Sequence, residues 1–168
     1  MTSAYSKFLR GVRLRGETVL TLQKMNVRDV THELFRKIAV ELPQSPSIPV
    51  SKRQRAADEL VYLSLFLIDL GLYLSWHASS QREWVMDSLW DLVSSSGLNM
   101  EVVNMRMEAY RDAAKSDTLE ASFSNLGRTF AWHCLAQDDV QIAALGEQEA
   151  RRLLEEITPF ASSIDVTP

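Results

Sequence analysis

From Asn26 onward, apolar residues recur at the spacing of helices. Val27, Val30, Leu34, Ile38 and Leu42 follow one another at intervals of 3, 4, 4 and 4 residues, which places them on one face of a helix. Asn26 can cap its first turn, Asp29 favours the positive end of the helix dipole, and Pro43 stops it. The stretch from Pro43 to Ser51 holds three prolines and reads as a loop crossing the end of a bundle.

The dominant element runs from Lys52 to about Trp76. Leu60, Leu63, Leu67, Leu70 and Leu74 form one stripe, and Val61, Leu65, Ile68, Leu72 and Trp76 another. A helix apolar on nearly every side is either a core helix or a membrane span. The apolar part, Leu60 to Trp76, is only 17 residues long and contains Asp69, so the core reading is favoured. Ser64, Gly71 and Ser75 mark a face where a neighbour can approach closely.

Later helices announce themselves by caps in phase with their apolar faces. Ser80 with Glu83 has capping-box spacing and precedes Val85, Met86, Leu89, Trp90 and Val93, with Gly97 just past the end. Asn99 precedes Val103, Met107, Tyr110 and Ala114. Asp117 with Glu120 precedes Phe123, Leu126, Phe130 and Cys134. Asp138 opens a last helix that Thr158-Pro159 is expected to end, leaving residues 161–168 as a frayed, disordered tail. Residues 3–25 read two ways: as one or two helices carrying Tyr5, Phe8 and Val12, the favoured reading, or as a hairpin turning near Arg15-Gly16. The expected fold is therefore all-α, a single domain over 1–168, with six or seven helices packed around the 52–76 helix.

Composition sharpens this picture. Hydrophobic residues at 46% and charged residues at 24% suit a globular domain, and six Gly with five Pro argue against a turn-rich β-sandwich. The single cysteine, Cys134, excludes an internal disulfide and fits a reducing, cytoplasmic setting. The start, Met1 to Leu14, lacks the apolar run of a signal peptide. The net charge of -4 conceals an asymmetry: residues 1–57 carry 11 Lys/Arg against 4 Asp/Glu, and residues 58–168 carry 7 against 18. The two parts can simply pack against each other. Alternatively, Lys7, Arg10, Arg13, Arg15, Lys24 and Arg28, with Lys52, Arg53 and Arg55, could contact nucleic acid, although no helix-turn-helix signature accompanies them.

Candidate chemistry is sparse. His32, His77 and His133 fall on different elements and belong to no metal-binding pair, so no metal or other cofactor is expected. Cys134 lies on the core stripe, and neighbouring His133 points elsewhere on the helix, so a buried inert thiol outweighs a nucleophile. No Gly-x-Ser-x-Gly elbow or phosphate-binding glycine loop occurs.

Asp69 is the most informative single residue. Asp58, Tyr62, Asp69, Tyr73 and Trp76 share a narrow arc of the central helix. Asp69 is expected either to be paired structurally, for example with an arginine of another helix, or to line a pocket for a cationic or hydrogen-bonding ligand. With no catalytic motif, the leading expectation is a non-enzymatic cytoplasmic interaction protein: an adaptor, regulator or immunity-type inhibitor. Met100, Met105 and Met107, among Glu101 and Glu108, offer an adaptable contact face. The alternative is a small-molecule-binding bundle, or an enzyme, with its pocket at Tyr62, Asp69 and Tyr73. Four Trp, six Phe and six Met in so small a domain also point to a homodimer.

Overall fold

The structure, a computed structural model, describes residues 22–38 and 50–168. The chain is all-α in character, with six helices among the described residues. In chain order the elements are β1 (Gln23–Asn26), α1 (Val27–Ile38), α2 (Val50–Trp76), α3 (Ser80–Ser95), α4 (Met100–Ala113), α5 (Leu119–His133), α6 (Val140–Ser162) and β2 (Ile164–Thr167). Residues 1–21, Leu42, Pro43 and the rest of the expected loop up to Pro49 lie outside the described residues.

The central helix is α2. Leu60, Leu63, Leu65, Leu67, Ile68, Leu70 and Leu72 are all buried, and α4, α5 and α6 pack around them. Gly71 sets the approach of α6: a Cβ added there would come within 2.6 Å of Ile157 Cγ2. The expected small-residue face is thus where α6 crosses. No described helix is long and apolar enough to cross a membrane.

Two expectations at the end of the chain fail. Thr158-Pro159 does not end the last helix, which continues through Pro159 to Ser162. Proline removes the donor that would have reached the Glu155 carbonyl, but Glu155 is exposed, where water can supply that bond; buried Ile157 and Ala161 hold the turn on either side, and α2 adds bonds to the same turn. Ser75 Oγ lies 3.1 Å from the Thr158 carbonyl and 3.0 Å from that of Gly71 and donates to one or the other, and Trp76 Nε1 donates to the Ala161 carbonyl at 2.9 Å. Nor is 161–168 a frayed tail: Ile164–Thr167 pairs in parallel with Gln23–Asn26. Ile164 and Val166 turn into the core while Asp165 and Thr167 are more exposed, the period-2 alternation of a strand. Residues 23–25, read as helix, are therefore strand.

Asn26 ends β1 and caps α1: its Oδ1 accepts from the Asp29 amide at 2.9 Å, and its Nδ2 donates to Asp29 Oδ2 at 2.8 Å. The opposite charges of the two parts of the chain do meet. Lys37 of α1 pairs with Glu156, and Lys52 of α2 with Asp139 at 2.8 Å.

Candidate functional site

The site is a groove between α3 and α4, floored by α2. Ser79 caps α3, accepting from the Arg82 amide at 3.3 Å, one residue before the expected Ser80. The helix then turns Arg82, Glu83, Met86, Asp87 and Trp90 to one side. Gly97, at φ 85°, reverses the chain as the C′ residue of α3. Asn99 caps α4 by accepting from the amides of Glu101 and Val102 at 3.0 and 3.3 Å, so that Asn104, Met107, Glu108 and Arg111 face back. Although consecutive, these helices barely touch. α3 rests mainly on α1, and α4 on α2 and α5. The space between them is a cleft of about 450 Å³.

At its floor Asp69 is ion-paired with Arg82, and Arg111 approaches its other oxygen at 4.0 Å. The Arg82 guanidinium also lies over the Tyr73 ring, 5.6 Å from its centroid. Met86 and Met107 are nearly buried and Trp90 is half-buried, giving an apolar base. Glu83, Asp87 and Glu108 stand exposed on the two banks.

Of the five residues on the sequence arc, only Asp69 lines this groove. Asp58 is at the surface, accepting from Gln54 at 2.9 Å. Tyr62 lies beneath Arg106, and Trp76 anchors α6. The arc is narrow in angle but runs for about 27 Å along the helix, so its members meet different neighbours. The three methionines separate likewise: Met107 enters the groove, Met105 is exposed and Met100 is half-buried.

A second polar cluster escaped the sequence reading. Glu59 of α2 is buried, and its carboxylate accepts from Tyr110 Oη at 2.7 Å and from Arg106 Nε at 2.9 Å. Burial raises the Glu59 pKa, outweighing the lowering by Tyr110 and Arg106. Burial and the facing Glu59 push the Tyr110 phenol well above its ordinary value. The Tyr110 ring stacks on Phe66 and meets His133 edge-on, both at 6.0 Å. The signal was available: Glu59 falls between Ala56 and Leu63 on the core side of α2, and Arg106 and Tyr110 are one helical turn apart.

Cys134 is buried, and burial with the nearby Glu59 charge raises its thiol to about 12. Burial, then the charge of Arg106, lowers His133 to about 4, and its Nε2 has no hydrogen-bond partner among the described residues. The cluster therefore ties α2, α4 and α5 together around a neutral imidazole and a protonated thiol at neutral pH. His32 and His77 are exposed, and no group of three or more His, Cys, Asp or Glu among the described residues is placed to hold a metal ion.

The chain matches no known protein family, no curated protein and no solved structure, so the geometry of the groove is what bears on its function.

Proposed function

We propose that this protein is a non-enzymatic interaction module, an adaptor, regulator or inhibitor, that receives a segment of a partner protein in the α3–α4 groove. One observation carries the reading: consecutive helices stand apart over a base where Met86, Met107 and Trp90 flank the Asp69–Arg82 ion pair, with further carboxylates on both banks. Methionine adapts its shape to what it meets, and a half-buried tryptophan gives a partner a rigid surface to cover. The alternative, a pocket for a small molecule at Tyr62, Asp69 and Tyr73, draws less support, because Tyr62 and Tyr73 lie under arginines while Asp69 is already ion-paired. A cytoplasmic setting accords with the buried, free Cys134.

Self-association belongs to the same proposal and would use another surface. Val50, Trp132, Leu135 and Val140 are 79, 61, 63 and 80% exposed, and Leu135 and Val140 share one depression at the α5–α6 turn. Leu135 holds φ 52°, a conformation that costs a branched residue about 1–2 kcal/mol and turns an apolar side chain outward. A homodimer would bury these side chains. Light scattering should give twice the monomer mass, reverting to monomer in Leu135→Asp.

The groove reading is tested with a photo-crosslinking side chain placed at Asn104 on its bank or at exposed Gln148 on α6. Protein adducts that map to one segment of one partner, formed from position 104 and not from 148, are expected. Equal labelling from both positions, or labelling by small molecules alone, would refute it.

A further inference from the structure

We propose that the segment received by the α3–α4 groove is basic, with an arginine or lysine side chain laid along Trp90 and its charge between the two banks. This rests on the groove being the docking site and adds what the partner must present there.

The arrangement of charge carries the argument. Four carboxylates and two guanidiniums line the groove, but Arg82 and Arg111 both turn to Asp69. Arg82 is thus committed to the floor; Arg111, 48% exposed and 4.0 Å from Asp69, is held less closely, and four carboxylates against two guanidiniums leave the groove net negative. Glu83, Asp87 and Glu108 have no ion-pair partner among the described residues, and they stand on both banks. An acidic segment would be repelled by all three. A neutral segment would cover carboxylates without replacing their hydration, which is costly. A long basic side chain resolves both difficulties: its methylene stem covers Met86, Met107 and Trp90, while its head reaches the carboxylates and the indole face. A cleft of about 450 Å³ holds one or two such side chains rather than a whole helix, so the basic group supplies much of the recognition.

The test uses the full chain and three acetylated, amidated peptides alternating alanine with arginine, with glutamine or with glutamate, titrated by calorimetry. The arginine peptide should bind at least about tenfold more tightly than the other two and weaken as salt rises. Combined Glu83→Gln, Asp87→Asn and Glu108→Gln should cost about tenfold, three exposed pairs at roughly half a kcal/mol each. Trp90→Ala should weaken binding too, while Asp138→Asn with Glu155→Gln, outside the groove, should not. Tighter binding of the glutamine or glutamate peptide, or undiminished arginine-peptide binding by the triple variant, would overturn the proposal. So would tighter binding after neutralising Lys7, Arg10, Arg13 and Arg15, which would assign the groove to the start of this chain. Crosslinks from position 104 that persist in the triple variant would refute the basic partner while leaving the groove as a docking site; their absence in the wild type would refute the groove itself.

Discussion

The hydroxyl of Tyr110 donates to the carboxylate of Glu59 at 2.7 Å, joining α4 to α2 by a bond with neither end open to solvent. Tyr110→Phe removes only that donor and leaves Glu59 Oε1 buried and unsatisfied. A loss of about 1–3 kcal/mol is expected, a visible share of a typical stability of about 5–15 kcal/mol. An unchanged urea midpoint would show that the bond contributes nothing.

Asp69→Asn tests the floor of the groove. The change is nearly isosteric, so Arg82 keeps its position but loses its counter-charge. The two side chains are 16 and 25% exposed, so water screens the pair and the penalty falls below that of a fully buried one, at about 1–3 kcal/mol. Chemical denaturation of the two proteins measures this directly, and equal stability would mean that Asp69 is not a structural anchor.

Cys134 should be inert in the native protein. With its thiol raised to about 12 and its side chain buried, almost no thiolate exists at neutral pH. Ellman's reagent should therefore titrate no thiol in the folded chain and one after unfolding in urea. Rapid native labelling would contradict the burial.

Acid should destabilise the fold through His133. Its pKa falls from 6.5 in the unfolded chain to about 4 in the folded one, so between these values the unfolded state binds more protons. This contribution is fully present above pH 6.5 and is lost as pH falls toward 4. Glu59, with its pKa raised from 4.5, works in the opposite sense: its contribution is present below 4.5 and is lost as pH rises through the folded value. His133→Gln should therefore flatten the decline in urea midpoint between pH 6.5 and 4. A decline identical to that of the wild type would place its origin elsewhere.

The sequence revealed most where a signal was local. Asn26, Asn99 and Gly97 mark their helix ends as read, because a side chain or a positive φ acts within one turn. Three other caps are displaced by one residue: Ser79 for Ser80, Thr118 for Asp117, and Asp139 for Asp138. In each case two adjacent residues can both cap, and the spacing of the apolar residues does not choose between them. Pro159 and the Ile164–Thr167 strand were misjudged because their support comes from α2 and β1, distant in sequence. In the site, Asp69 stood out as an acid on an apolar helix. Glu83, Asp87 and Glu108 look like any solvated helix face until α3 and α4 are seen to stand apart.

The pairing of β1 with β2 also governs the order in which the molecule can be completed. Gln23–Asn26 leaves the ribosome early, but its partner strand emerges only after all six described helices. Until then the entry to α1 lacks its lateral bonds, and the closing contact spans nearly the whole described chain. A nascent chain stalled before Ile164 would hold its helices without this clasp. The Gln23–Asn26 strand would remain an open edge for chaperones or for the same strand of a neighbouring nascent chain.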